Sequence, residues 1–195
     1  MIRTLPWRAR NRLAETVLRA LRDPEARREL RDLAGSEGAA WLAPEDRPHA
    51  PLARQRAQGA VAALEGCPLL PVEASFTEVL DAAGRLFDAG LAFEVHELLE
   101  PYWARAAGER REVLQGLIQI AVGYQHLANG NRTGARALLD EGSRRLEDRR
   151  LDELDPGPFA RAVRDSLARL TEPEGPDAPR FPRPIRGQHH EIGGR

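Results

Sequence analysis

Residues 87–103 read FDAGLAFEVHELLEPYW, and residues 113–146 read VLQGLIQIAVGYQHLANGNRTGARALLDEGSRRL. Apolar side chains recur in both stretches at helical intervals, which predicts helices over about 91–106, 109–128 and 132–149. The first two helices are mostly apolar, yet they also carry acids, amides and histidines. Because a polar side chain is costly to bury without a partner, these residues indicate either a closed structural network or a site.

Helical spacing places these polar residues on narrow faces of the first two helices. His96 and Glu100 are one turn apart on the first helix. On the second helix, Gln115, Gln119 and His126 share one face. If the two helices form an antiparallel hairpin, we expect the polar faces to meet in a buried interior. The candidate residues of a ligand-binding site or polar network are His96, Glu97, Glu100, Trp103, Gln115, Gln119 and His126.

A metal centre is one interpretation of this cluster. His96, Glu100 and His126 are the candidate ligands of a divalent cation, and Glu97 and His96 are the candidate catalytic residues, with Glu97 as general base for a metal-bound water. The run HELLE departs from the HExxH motif of zinc proteases, because Glu100 stands where that motif has its second histidine. A metal-dependent, hydrolase-like site is therefore an alternative, and the sequence leaves enzymatic activity open.

Two non-enzymatic interpretations use the same residues. The groups can form a small-ligand pocket with a few donors and acceptors in an apolar cleft. They can also form a satisfied polar network that fixes how the helices pack. We favour this structural or small-ligand interpretation. A further alternative is a protein-interaction module, because two helix–glycine–helix units about 40 residues apart loosely resemble a helical repeat, and its partner would be a second copy or another protein.

The chain as a whole predicts an all-α fold in four parts. Residues 1–65 form an arginine-rich helical N-terminal segment, and residues 66–75, with two prolines and a glycine, form a linker. Ser75 and Glu78 make a capping box that starts a compact four- to five-helix bundle over 76–170. The last part, 171–195, is rich in proline, glycine and arginine and is expected to be disordered. The predicted helices of the N-terminal segment are 5–22, 24–34 and 52–64.

The charged residues exclude some classes of chemistry. All 29 basic residues are arginine, so Schiff-base catalysis and a phosphate-binding P-loop lysine are excluded. The formal net charge of -1 does not favour nucleic acid as a partner, although the first 31 residues carry nine arginines and four acids. We interpret that basic stretch as a solvated helix surface.

The apolar residues and the cysteine content indicate the environment. No apolar run approaches the roughly 20 residues that span a bilayer, and the N-terminus lacks the features of a secretory signal. Cys67 is the single cysteine, so a disulfide within the chain and a CxxC motif are both excluded. We therefore expect a cytoplasmic protein with no membrane partner.

The order of the motifs resembles one known family. An aromatic-x-x-H-E-x-x-E-x-x-W run is followed by L-Q-G-L-I-Q and then by H-x-x-x-G-N-x-x-G-A, as in the small all-helical proteins called domain of unknown function 309. The resemblance covers about residues 76–150 and, more loosely, the chain to Leu170. It implies a compact helical bundle of bacterial or archaeal origin and no assigned reaction. The matching signature positions are Gly90, Phe93, His96, Glu97, Glu100, Trp103, Gln115, Gly116, His126, Asn131 and Gly134.

Overall fold

The computed structural model describes residues 4–35, 38–151, 153–171 and 176–184. Within these ranges the chain forms nine α-helices and no β-strand, so the prediction of an all-α fold is confirmed. Eight of the helices have eleven or more residues. They are α1 (Trp7–Ala20), α2 (Pro24–Ala34), α3 (Gly38–Trp41), α4 (Ala50–Leu64), α5 (Phe76–Asp88), α6 (Ala92–Arg105), α7 (Gly108–Ala128), α8 (Arg132–Leu146) and α9 (Gly157–Leu167), with 3₁₀ helices at Pro44–His49 and Ala168–Thr171.

The number of helices differs in part from the prediction. Five of them, α5 to α9, lie between Phe76 and Leu167, as a four- to five-helix bundle requires. Three long helices, α1, α2 and α4, precede them, as predicted. The short α3 and the 3₁₀ helix Pro44–His49 were not predicted from the sequence pattern. The described ranges therefore contain more helices than the four or five that were predicted for the bundle.

Hydrogen bonds at two helix starts follow the predicted capping chemistry. The Ser75 backbone N–H donates to Glu78 Oε2 at 2.7 Å, and the Glu78 backbone N–H donates to Ser75 Oγ at 3.3 Å, which completes the capping box of α5. Asp23 caps α2 by accepting from the backbone N–H of Glu25 at 2.9 Å. These caps fix where the helices begin and hence which side chains share a face.

The longest helix, α7, lies between α6 and α8. Gly116 and Gly123 let α8 approach closely: a Cβ at Gly116 would lie 2.7 Å from the side chain of Leu146, and one at Gly123 would lie 2.8 Å from that of Leu139. Glycine at these two positions therefore leaves the space that the side chains of α8 occupy. Nowhere in the described ranges is a helix both long and apolar enough to cross a membrane.

The N-terminal helices pack against the bundle and share its core. Helix α1 contacts α6, and α4 contacts α5, while α2 packs on both α1 and α4. Buried residues from these helices and from α5 to α9 form one hydrophobic cluster. The linker is tied to α1 by a hydrogen bond from the Leu70 backbone N–H to the Leu21 carbonyl, at 2.8 Å. One face of α6 is therefore covered by residues that precede the linker.

Part of the predicted disordered tail is ordered. Phe181 is 2 % exposed and packs between Phe87 and Phe159, with ring centroids 5.2 and 5.6 Å away. Its backbone N–H donates to Asp88 Oδ1 at 3.0 Å. The prediction is therefore wrong for residues 176–184, because one aromatic side chain anchors this segment to the core. The rest of the predicted tail, 172–175 and 185–195, lies outside the described residues.

Candidate metal centre

Three of the predicted site residues meet on one turn of α6. Gly90, at φ 76°, makes the turn after α5 from which α6 begins. The His96 imidazole then lies between two carboxylates, with Nδ1 3.2 Å from Glu97 Oε1 and Nε2 3.8 Å from Glu100 Oε2. One ligating atom from each of the three residues lies within 4.8 Å of the others. This group, His96, Glu97 and Glu100, is called the α6 cluster below.

The α6 cluster is more exposed than the sequence predicted. The side chains of His96, Glu97 and Glu100 are 27 %, 38 % and 54 % exposed, respectively. The prediction of a buried interior is therefore wrong for Glu100 and holds only in part for His96. The physical reason is that α7 covers one side of α6 while this turn stays at the surface, so water reaches both acids.

Helix α1 contributes a cation beside the α6 cluster. The Phe93 ring lies one turn before Glu97, with its centroid 6.2 Å from that of His96. The Arg10 guanidinium of α1 stacks over the same Phe93 ring, 4.2 Å from its centroid. This cation–π contact holds the N-terminal segment against the helix that carries the cluster.

One buried acid on α6, Glu94, is not among the predicted site residues. Glu94 is 0 % exposed, and neither of its carboxylate oxygens has a hydrogen-bond partner among the described residues. Burial raises the pKa of Glu94, and the pull of its own backbone N–H and of Arg56 and Arg10 in the opposite direction is weaker. The apolar neighbours Leu91, Val95 and Leu98 at helical spacing were the sequence signal for its burial.

The predicted site residue Trp103 serves as a packing platform at the end of α6. The Arg111 guanidinium lies 4.1 Å above the Trp103 ring, and Arg111 Nη1 donates to the Trp103 carbonyl at 2.9 Å. The indole Nε1 is buried, and no group of the described ranges forms a hydrogen bond with it. Trp103 therefore joins the end of α6 to the first turns of α7, one turn beyond Glu100.

Neither of the two glutamines predicted for the site, Gln115 and Gln119, has a hydrogen bond to the α6 cluster among the described residues. Gln119 Oε1 accepts from Arg145 Nε at 3.2 Å, and Arg145 also pairs with Glu112 and with Glu141, the latter at 2.9 Å. This side of α7 therefore faces α8. Gln115 is half-buried on α7.

His126 likewise lies apart from the α6 cluster. Its Nδ1 is 2.7 Å from Asn131 Nδ2, so the amide donates and the imidazole nitrogen accepts. Asn131 Oδ1 in turn caps α8 by accepting from the Gly134 backbone N–H at 2.9 Å. A Cβ at Gly134 would lie 2.6 Å from His126 Nδ1, which explains the glycine. The group of ligating atoms on α6 does not include His126, so the predicted metal set needs correction.

Comparison with known proteins identifies the part of the chain that carries these features. Residues 80–138 match the model of a family described as Domain of unknown function (DUF309). No curated protein and no solved structure matches the chain. The matched range contains both the α6 cluster and the capping group of His126, Asn131 and Gly134. The resemblance to this family that the sequence motifs indicated is therefore confirmed over residues 80–138.

Proposed function

We propose that this protein binds a divalent transition-metal cation through His96, Glu97 and Glu100. The observation that supports the proposal is the placement of one imidazole nitrogen and two carboxylate oxygens within 4.8 Å of one another. Around a cation with bonds of about 2.0–2.2 Å, ligand atoms are roughly 3–3.5 Å apart. Because both acids are partly exposed, small rotations of their side chains can bring the ligand atoms from their present separation to the separation that a bound cation requires.

The donor set favours particular metals. An imidazole suits zinc, iron, copper and nickel, whereas calcium and magnesium prefer oxygen ligands alone. Three protein ligands from one turn of α6 leave the remaining coordination positions to water or to a further ligand, as in open metal sites. Partial exposure gives the cation a path to the site and limits the cost of removing the acids from water.

The metal ligands proposed here change the role of Glu97. As a ligand, Glu97 is not free to act as general base for a metal-bound water, which was its role in the hydrolase alternative. Glu94 cannot replace it in that role, because its carboxylate is fully buried. We therefore propose cation binding as the function and assign no reaction to it.

A zinc titration tests the proposal. The protein is purified without a tag and carries His189→Gln and His190→Gln, since adjacent histidines bind transition metals on their own. Calorimetric titration with zinc chloride should give one site per chain. The dissociation constant should rise at least tenfold in His96→Gln and in Glu100→Gln, because each removes a ligand. Manganese and calcium chlorides are titrated in parallel to rank the metals.

His126→Gln is the matched control for this titration. It removes the half-buried histidine that sequence spacing placed in the metal set and leaves the α6 cluster intact. Zinc affinity should therefore stay within about twofold of the parent protein. The proposal fails if the parent does not bind zinc, or if binding is lost in His126→Gln and kept in His96→Gln.

A further inference from the structure

A second part of the molecule has the features of a small-molecule site. A cavity of about 440 Å³ lies where the ends of α1 and α4, the linker, α5 and residues 183–184 come together. This volume is within the range of ligand pockets in proteins. None of the residues that line this cavity belongs to the α6 cluster. We call it the linker cavity.

Most of the wall of the linker cavity is apolar. Leucines from three different parts of the chain supply it: Leu21 after α1, Leu64 at the end of α4, and Leu69 and Leu70 in the linker. Ala82 of α5, which is buried, lies in the same wall. An occupant therefore has an apolar body, because polar groups facing this wall would lose their water without gaining partners.

Two of the three arginines in the wall are already paired with acids. Arg85 Nε donates to Asp81 Oδ2 at 2.9 Å. Arg183 Nη2 donates to Asp88 Oδ2 at 2.6 Å, and the side chain of Asp88 is 11 % exposed. Each of these two guanidiniums therefore already has a carboxylate partner, although Asp88 is shared with Arg180.

Arg27 is the third arginine, and its bonds go to neutral acceptors. Its Nε, Nη1 and Nη2 donate to the carbonyls of Ala20, Cys67 and Pro68 at 2.8, 2.7 and 3.2 Å. A guanidinium has five N–H groups, so one remains on each terminal nitrogen. No carboxylate of the described residues lies within 4.0 Å of Arg27. Its charge is thus held at the cavity by carbonyls of α1 and of the linker, and it has no counter-ion within the described part of the chain.

The remaining acid of the wall, Glu78, has a different role. Its Oε2 accepts from the backbone N–H and the hydroxyl of Ser75, and these bonds lower the pKa of Glu78. Its negative charge therefore stabilises the first turn of α5. The linker cavity offers one anchored and unbalanced cation together with an apolar wall.

We propose that the linker cavity binds a small aliphatic monocarboxylate, with its carboxylate on Arg27 and its chain against the leucines and Ala82. A guanidinium with one N–H on each terminal nitrogen matches the two oxygens of a carboxylate. The single cysteine of the protein, Cys67, lies in the cavity wall and reports on occupancy without a label. The proposal is independent of metal binding at the α6 cluster.

Octanoate, octanol and octylamine are the three probes that test the proposal, because they share a chain and differ in head-group charge. Octanoate should bind with one site per chain, at least tenfold more tightly than octanol, and octylamine should not compete with it. Bound octanoate should also slow the reaction of the Cys67 thiol with an aromatic disulfide reagent at least fivefold. Octanol or octylamine binding as tightly as octanoate would overturn the assignment of Arg27 as the anchor.

Two variants and one control locate the ligand. Arg27→Met should weaken octanoate binding about tenfold to a hundredfold, the effect of losing a charge-assisted hydrogen bond. The control Arg28→Met removes a neighbouring arginine that pairs with Glu25 outside the cavity, and it should leave the affinity unchanged.

Since Arg27 also ties the linker to α1, Ala82→Leu provides a test that leaves Arg27 in place. The larger side chain fills part of the cavity and should reduce octanoate binding at least tenfold. Octanoate binding that is unchanged in folded Ala82→Leu, or that leaves the Cys67 reaction rate unchanged, would place the ligand elsewhere and refute the proposal.

Discussion

Two faces of α6 present their acids in opposite ways. Glu94 and His96 are two residues apart, which on a helix of 3.6 residues per turn is about 200° around the axis. The α6 cluster holds its imidazole and carboxylates against one another and against water. Its member Glu97 is one turn from Glu94 and lies between the two sides. Glu94 is fully buried, and in the part of the chain that the structure describes its carboxylate has no hydrogen-bond partner.

The difference between the α6 cluster and Glu94 shows that one helix, α6, carries both hydrated and fully buried acids. The acids of the α6 cluster keep much of their hydration, so they can exchange water for a cation at low cost. The acid at Glu94 has lost its hydration, so it lowers the stability of the fold unless something else requires it. Each of the predictions below changes one of these faces and leaves the other intact.

The largest effect is expected from the apolar part of the buried face. Leu99→Ala should lower the free energy of unfolding by about 2–5 kcal/mol, because Leu99 is 0 % exposed and its loss leaves a cavity. Its neighbour in sequence, Glu100, lies on the exposed face, so the control Glu100→Ala should change stability by less than about 1 kcal/mol. Urea denaturation measures both. Similar losses in the two variants would mean that the faces do not differ.

Removing the buried acid should stabilise the protein. Glu94→Met keeps an unbranched side chain of similar length and removes the unpartnered carboxylate. We expect a gain of about 1–3 kcal/mol in the free energy of unfolding at neutral pH, the cost of an unsatisfied buried polar group. A loss of stability in Glu94→Met would show that the attraction of Arg10 and Arg56 for Glu94 outweighs its desolvation.

The sequence allowed the local structure to be predicted well. The capping box at Ser75 and Glu78 depends on residues three positions apart in the chain. The pairing of His96 with Glu100 is also local, since both lie on one turn. Features of this kind follow from helix geometry alone and do not require knowledge of the tertiary structure.

The partners of the other site residues depend on helices whose positions the sequence does not give. Gln119 bonds to Arg145 because α8 packs against α7. On α6, Arg10 of α1 covers the Phe93 ring, and the next residue, Glu94, is buried. His126 bonds to Asn131 because the start of α8 turns back toward it. Phe181 was concealed by the proline- and arginine-rich composition around it, although a single aromatic side chain suffices to anchor a segment.

The protonation of Glu94 gives the next test of the buried face. Burial raises its pKa above the ordinary value of 4.5, so the folded protein holds this proton more tightly than the unfolded chain. Protonated Glu94 therefore contributes its full stabilisation of the fold below about pH 4.5. This contribution is lost as the pH rises through the pKa of Glu94 in the folded protein. Glu94→Gln lacks this contribution.

The stability of Glu94→Gln relative to the parent protein should accordingly increase with pH. Urea denaturation of both proteins at several values between about pH 4 and about pH 8 measures the difference. Asp81→Asn, which removes a partly exposed acid paired with Arg85, is the control for general effects of charge. A difference between Glu94→Gln and the parent that stays constant with pH would mean that Glu94 has the same pKa in the folded and unfolded states.

The smallest effect is expected on the exposed face. His96→Ala should lower the free energy of unfolding by less than about 1 kcal/mol in the absence of metal, since its partners are partly exposed acids. A double-mutant cycle with Glu100→Gln isolates the pair, and we expect a coupling of about 0–1 kcal/mol. A coupling well above that range would mean that the imidazole and the acids hold the fold together, as in a buried network. A small coupling, combined with loss of zinc binding in the same His96→Ala protein, would separate the two faces of α6 into one that binds and one that stabilises.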